Sequence, residues 1–435
     1  MLTKRFINVN DVTKWRLCLG CGACVPACPE KAISLVDVRD TGIRPVVNAI
    51  QCKKCGQCLK VCPGIEIAHQ PSNSQTIDEL TRSWGPVLEV WEGYATDPEI
   101  RYKGSSGGAA TALALYCLEK EQVSSVLHIG TRHQKPLCNV PVFSKTKEEL
   151  ISRTGSRYSP AAPCERLDYI RDNPGSYVFI GKPCDIVALR KSQEQNEQLG
   201  NKVHLAISIF CAGTPSTEGT YGILDKLNIK ADQVEELRYR GCGWPGTTYV
   251  KTKDPNDQVK QISYEQSWSE ILSKYIQFRC RLCPDSTGEF ADLSCGDPWY
   301  RRIKPGEPGW SLILVRTEQG RKILNKAIKK GYLKLHRVDP NTVPNSQKAL
   351  LMRRRHLWGR LLVLKTIFVP APKYVGFNLW KNWWSLPVAE KLRSLFGTLK
   401  RLLLRGWMKP LHPIEPNKLS HIEKTDIKPN PGEKK

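Results

Sequence analysis

Cys18-Leu-Gly-Cys21-Gly-Ala-Cys24-Val-Pro-Ala-Cys28-Pro29 and Cys52-Lys-Lys-Cys55-Gly-Gln-Cys58-Leu-Lys-Val-Cys62-Pro63 are one phrase written twice, 34 residues apart, near the N-terminus of a 435-residue chain. In each run, two gaps of two residues let a tight loop turn three thiolates toward one point, and Gly22 and Gly56 give that loop room to turn. The fourth cysteine follows after a gap of three residues and heads away on a helical turn. Each run leads into an apolar, strand-like stretch, 32–36 and 65–68, which makes the whole a pseudo-symmetric module over 1–70. A zinc knuckle or a disulfide framework accounts poorly for two complete four-cysteine runs, each closed by proline.

The spacing resembles that of bacterial two-cluster ferredoxins, in which each run gives three ligands to one 4Fe-4S cluster and its fourth to the other. That resemblance implies one cluster on Cys18, Cys21, Cys24 and Cys62, and a second on Cys52, Cys55, Cys58 and Cys28. The module reads as an electron carrier. It fills only a small part of the chain, and the length predicts two or three domains.

Seventeen cysteines in 435 residues are too few for a disulfide scaffold, and Met1-Leu-Thr-Lys-Arg-Phe6 lacks the apolar core of a signal peptide. The expected compartment is therefore reducing and cytoplasmic. No run of 18 or more apolar residues is present to cross a membrane as a helix. The net charge of +24 is unevenly spread: between Arg353 and Lys409 stand 13 Lys or Arg against the single acid Glu390, with five of the 12 tryptophans. Such clustering marks a surface with a partner.

A polar stretch at 70–75 reads as a linker. From about 85 to 345 strand-like segments (87–95, 176–180, 203–210, 311–315) alternate with helix-like ones (109–121, 185–191, 268–278, 318–330), which predicts a mixed α/β core. After Pro387 apolar residues recur at helical spacing, from Ala389 through Leu392, Phe396, Leu399 and Leu403, with Lys391, Arg393, Lys400, Arg401 and Arg405 between them. This predicts a cationic amphipathic helix within a basic tail, 350–416, and a disordered end, 417–435. The fold class is thus α+β: a ferredoxin-like domain, a mixed α/β core and a helical basic tail.

The core carries its own chemistry. Gly104-Ser-Ser-Gly-Gly108 runs into a helix, and small residues before a helix N-terminus suit a phosphate, although a plain Ser-capped helix accounts for them as well. Thr154-Gly-Ser-Arg157-Tyr158-Ser-Pro160 could add a guanidinium and an aromatic face to a flavin nucleotide. Gly181-Lys-Pro-Cys184 opens a helix after a strand, Cys211 ends another strand, and Cys280-x2-Cys283 is a pair of the kind that grips metal. These four thiols are compatible with a third cluster, a zinc site, or unrelated free cysteines.

Gly107-Gly-Ala-Ala-Thr-Ala-Leu113, Gly155-Ser-Arg-Tyr-Ser-Pro160, Gly181-Lys-Pro-Cys-Asp-Ile-Val-Ala-Leu-Arg190, Tyr239-Arg-Gly-Cys-Gly-Trp-Pro-Gly246, Cys280-Arg-Leu-Cys-Pro-Asp285 and Ala291-Asp-Leu-Ser-Cys-Gly-Asp297 together resemble, in order, the coenzyme F420 hydrogenase/dehydrogenase beta subunit family, whose relatives include reductases of tetrapyrroles. The resemblance spans about 15–345, with an N-terminal-type region at 85–165 and a C-terminal-type region at 170–345. It implies an FAD-binding core with a 4Fe-4S cluster on Cys184, Cys211, Cys280 and Cys283, and Ser105, Ser106, Gly107, Gly108, Arg157, Tyr158 and Lys182 near FAD. Cys295 is then a spare thiol or a competing ligand.

The implied function is an oxidoreductase that moves electrons from ferredoxin or another redox protein through the clusters to FAD, and on to an organic substrate or coenzyme F420. The rivals are a non-catalytic electron-transfer subunit of a hydrogenase or dehydrogenase, and a redox protein of cell-surface polysaccharide synthesis. For the tail the expected partner is an anionic surface at the inner face of the membrane, ahead of packing on the protein itself or of nucleic acid. No catalytic residue is singled out.

Overall fold

A computed structural model describes residues 6–69, 76–256, 259–303, 307–412 and 422–424. The linker read at 70–75 lies outside the described residues, as does most of 417–435, where Ile422–Lys424 alone is described, paired with Ile33–Val38. The core is built on an eight-stranded mixed sheet in the order Leu333–Arg337, Glu89–Ala95, Ser311–Val315, Leu293–Gly296, Val203–Ile209, Tyr177–Gly181, Ser125–Arg132, Lys135–Ser144. The four strands from Leu293–Gly296 to Ser125–Arg132 run parallel, and the flanking pairs are antiparallel. Parallel strands are covered on both faces and need nearly continuous apolar runs; Tyr-Val-Phe-Ile at 177–180 and Leu-Ala-Ile at 205–207 meet that need, and all but Ile180 are buried.

Three predicted helices form: Ala109–Lys120, Pro183–Glu194 and Glu318–Lys329. The fourth, expected at 268–278, does not. Gln266–Ile271 and Leu272–Tyr275 are short helical turns, and Ile276 leaves them in an extended conformation to bridge Pro215. Local propensity gives way here to a tertiary contact, and the Gln277 N–H donates to the Thr214 carbonyl. The break brings Cys280 beside the segment that follows Cys211.

The N-terminal module differs from the self-contained unit expected. Ile33–Val38 pairs with Gly42–Val47 as a hairpin, but Glu66–Ala68 finds its partner far down the chain, in parallel with Lys373–Val375. The tail is correspondingly not an appendage. Phe6, Val12, Leu17 and Ile65 of the module share one apolar cluster with Phe278 and Leu282 of the core and with Leu357, Leu361, Leu364 and Leu402 of the C-terminal helices.

The same three regions meet at a buried charge. The Glu289 carboxylate accepts from His69 Nε2 at 2.7 Å and pairs with Arg354, whose guanidinium also donates to the carbonyls of Pro284 and Phe377. Burial pushes the Glu289 carboxyl up, yet Arg354, His69 and Arg316 outweigh it and hold it at about 2. A depressed carboxylate stabilises the fold above its unfolded value of about 4.3, and that contribution is lost as pH falls toward the folded value. Arg354→Met strands the carboxylate in the interior and is expected to lower stability by about 3–5 kcal/mol. Urea unfolding at neutral pH measures it, with Glu289→Gln/Arg354→Met less destabilised than Arg354→Met alone.

Candidate functional site

Twelve cysteines fall into three groups of four. Cys18, Cys21, Cys24 and Cys62 edge one small apolar cavity, walled by Val9, Val12, Leu35 and Val61. Gly20, at φ +71°, turns the chain so that its N–H reaches Cys18 Sγ at 3.4 Å. Cys58 has Cys28, Cys52 and Cys55 as its thiol neighbours, and burial first, then those neighbours, push it up. In the first group burial likewise drives Cys62 up to about 12, with Cys18 the nearest thiol.

The third group is assembled from three loops. Cys184 sits in the first turn of Pro183–Glu194, which has proline at its start and Lys182 as its N-cap. Cys211 follows Val203–Ile209, and Cys280 and Cys283 lie on the turn redirected by Ile276. Cys184 lies within electrostatic reach of Cys211 and Cys280, and Cys283 within reach of Cys280 and Cys211. Backbone N–H groups point at the sulfurs: Gly213 to Cys211 at 3.3 Å and Thr214 to Cys280 at 3.4 Å. Among the described residues, no three His, Cys, Asp or Glu side chains are arranged around a single metal ion.

Cys211 also lines a cavity of about 1710 Å³, including its open mouth. It lies beyond the carboxyl ends of Tyr177–Gly181, Val203–Ile209 and Leu293–Gly296, where open α/β sheets bind ligands. Ser105, Ser106 and Gly108 border it; Gly108, at φ +75°, caps Ala109–Lys120 with no side chain in the way of the first N–H groups. Gly107 lies beneath, its N–H donating to Ser311 Oγ at 2.9 Å, and a Cβ there would stand 2.7 Å from the Gly93 carbonyl oxygen. Glycine is required at 107 by packing.

Lys182 and Tyr158 line the cavity, Lys182 held by Asp185 at 2.7 Å. Arg157 lines it too, but its guanidinium is committed elsewhere: it donates to Asn139, to the Pro136 carbonyl at 2.8 Å and to the Leu237 carbonyl at 3.2 Å. It braces the turn that presents Tyr158. Cys295 lines the cavity on its strand, and burial alone pushes its thiol up to about 12, with no other thiol acting on it. It stands apart from the third group.

Sequence reasoning did not single out several lining residues. Arg240 makes a bidentate pair with Asp297, at 2.8 and 2.5 Å, and lies 4.9 and 5.0 Å from the centres of the Tyr264 and Trp299 rings, which stack on each other at 5.5 Å. Trp244 Nε1 donates to the same carboxylate at 2.9 Å. Arg240, Trp244 and Asp297 lay inside two quoted motifs, so the signal was present without its role. His128 shares its ring nitrogen with Ser144 Oγ at 2.7 Å, and burial, then Arg153, pull its pKa down to about 3, which keeps it neutral. Arg153 and His128 stand isolated in sequence, with no pattern around them.

Cysteine groups of ferredoxin spacing, joined to an α/β core with a large cavity at the carboxyl ends of its parallel strands, define an iron–sulfur redox protein. The chain belongs to the coenzyme F420 hydrogenase/dehydrogenase beta subunit family: residues 90–167 match its N-terminal part, residues 175–341 its C-terminal part, and residues 17–64 match a 4Fe-4S dicluster domain. Coenzyme F420 hydrogenase subunit beta of Methanococcus voltae is 29% identical over 252 residues, covering 56% of this chain and 82% of that protein. F420-dependent formate dehydrogenase subunit beta of Methanocaldococcus jannaschii is 25% identical over 302 residues, 67% of this chain and 72% of that protein. A chain of the F420-reducing NiFe hydrogenase complex from Methanosarcina barkeri superposes with a TM-score of 0.48 at 23% identity, covering 66% of this chain and 96% of that one. The C-terminal helices lie outside all three family matches, and no helix among the described residues is long and apolar enough to cross a membrane. None of these relatives bears on cell-surface polysaccharide.

Proposed function

We propose that the chain is the flavin- and iron–sulfur-dependent electron-relay subunit of a cytoplasmic oxidoreductase, acting with hydrogenase- or dehydrogenase-type subunits on coenzyme F420 or another organic acceptor. The observation that carries this reading is the cavity beyond the parallel strands with the four-thiol group of Cys184, Cys211, Cys280 and Cys283 at its edge. When bound, clusters supply one-electron steps and FAD converts them to two-electron chemistry. The donor set fits. Buried thiolates in fours repel one another, and a positively charged iron core relieves that repulsion.

Each side chain then has a task in binding. The Gly104–Gly108 turn and the start of Ala109–Lys120 offer N–H groups to a pyrophosphate. Tyr264 and Trp299, kept in place by Arg240 and Asp297, form a flat wall for an aromatic ring. Lys182, bonded to Asp185 and within reach of Cys184 and Cys211, holds a positive charge between the thiols and the cavity. The neutral His128 offers a hydrogen bond without adding charge.

The N-terminal groups differ in what they face. The Cys21 carbonyl accepts from the Cys164 N–H at 3.0 Å, and Cys164 Sγ donates to the Asp185 carbonyl at 3.3 Å, one residue past Cys184, so the first group abuts the core. Cys55 of the second is exposed among Lys31, Lys53, Lys54 and Lys60, a face suited to ferredoxin or another acidic carrier. Anaerobically purified protein is expected to hold about twelve irons and one FAD per chain. Cys184→Ala should drop the iron to about eight, keep the N-terminal EPR signals and abolish turnover; wild-type activity in that variant rejects the core cluster.

The C-terminal helices support a peripheral location at the inner face of the membrane. In Val388–Leu404, Ser394, Thr398 and Leu402 face inward, while Val388, Leu392, Phe396 and Leu403 form an exposed apolar stripe beside the exposed Trp380 and Trp384. Lys391 lies 4.3 Å from the Trp384 ring centre, and each basic residue near an anionic bilayer adds about 1 kcal/mol. Removal of this region would dismantle the shared core, so the informative variant is Leu392→Ser/Phe396→Ser. It is expected to stay behind when wild-type protein floats with phosphatidylserine vesicles, and equal flotation of the two rejects the membrane reading.

A further inference from the structure

Arg281, Arg360 and Arg401 converge on a second cavity, of about 380 Å³, between Lys348–Thr366, Val388–Leu404 and the loop carrying Cys280 and Cys283. Phe278, Leu282, Leu402 and Trp407 form its apolar walls, and Thr398 adds a hydroxyl. The charged groups that reach Arg360 are Arg353, Arg401 and Arg281, with no carboxylate among them. Burial first, then those three, lower Arg360 to about 9. Arg401, lowered by burial and by Arg405, in turn acts on both Arg360 and Arg281.

The hydrogen bonds of these guanidiniums are few. Arg360 Nη1 donates to the Arg281 carbonyl at 2.7 Å, which leaves most of its fork unused, and Arg281 Nε and Arg360 Nε are buried with no partner. Arg354 and Arg316 nearby differ in their terminal nitrogens, which are shared among carbonyls and a carboxylate or hydroxyl, although Arg354 Nε also lacks a partner. Like charges gathered in a partly desolvated pocket oppose folding unless an anion joins them. Among the described residues no carboxylate stands against these three guanidiniums, and the one opposing charge acting on Arg281 is the Cys280 thiolate.

We propose that this cavity is a phosphate-binding site, in which the forks of Arg281, Arg360 and Arg401 and the Thr398 hydroxyl hold a doubly charged phosphate group. Planar guanidiniums match phosphate oxygens two at a time, and three of them exceed what a carboxylate accepts. The phosphate comes from a soluble phosphate compound or from a lipid headgroup, since Leu403, Leu404 and Arg405, next in the chain to the lining Leu402, are exposed. The site is separate from the large cavity and from the exposed stripe at Leu392 and Phe396.

The test is thermal unfolding of the full-length holoprotein in chloride and an uncharged buffer at fixed ionic strength. Probes are inorganic pyrophosphate and, in parallel, micelles of short-chain phosphatidylglycerol or, as a neutral-headgroup control, phosphatidylcholine. Pyrophosphate at saturation is expected to raise the wild-type midpoint by about 3 °C. Arg401→Gln should start at a higher midpoint than wild type, because it relieves repulsion, and should lose at least half of the response. Arg360→Gln serves as the second variant. A response to phosphatidylglycerol well above that to pyrophosphate assigns the phosphate to a lipid; the reverse assigns it to a soluble compound. No shift with either probe, or an equal shift in the Arg401→Gln protein, overturns the site.

Discussion

Glu289 is the constraint around which the three regions of this chain are fitted. Its carboxylate is buried, yet it stays charged because His69 comes from the end of the N-terminal module and Arg354 from the C-terminal helix to meet it. The loop before it is held just as firmly: the Asp285 carboxylate accepts from the N–H groups of Thr287, Gly288 and Glu289. Cys280 and Cys283 lie at the head of that loop. The position of two core thiols therefore depends on an ion pair between regions distant in sequence, and the cavity edge depends on those thiols.

Much of this was legible beforehand where the chemistry is local. Two thiols separated by two residues must share a loop, so the ferredoxin runs could be read directly, and the strands at 177–181, 203–209 and 311–315 were marked by largely apolar runs. What failed was non-local. The segment at 268–278 has helical composition, and only the Pro215–Ile276 bridge breaks it. Arg157 read as a ligand-facing cation because its neighbours Gly155 and Tyr158 suggest a turn. Its partners, Pro136 and Leu237, lie too far away in sequence for any pattern to disclose.

The C-terminal region shows how charge and packing can coexist on one helix. Val388–Leu404 has more apolar residues than one buried face can use, and the surplus stays at the surface beside lysine and arginine. From sequence the stripe looked single, because helical spacing does not separate two adjoining faces. The structure divides it: small residues and Leu402 turn inward to Lys348–Thr366, whereas Phe396 and Leu403 turn outward. A helix of this kind is both part of the core and part of the surface.

The pairing of Glu66–Ala68 with Lys373–Val375 bears on how the molecule is made. Loop closure over so many residues is slow compared with local turns, and a ribosome releases the N-terminal strand long before its partner. The two ferredoxin runs thus leave the ribosome well before the C-terminal third has been synthesised. Iron–sulfur assembly machinery can work on the open module in that interval, and arrival of the last strand and helices closes the structure over sites already filled.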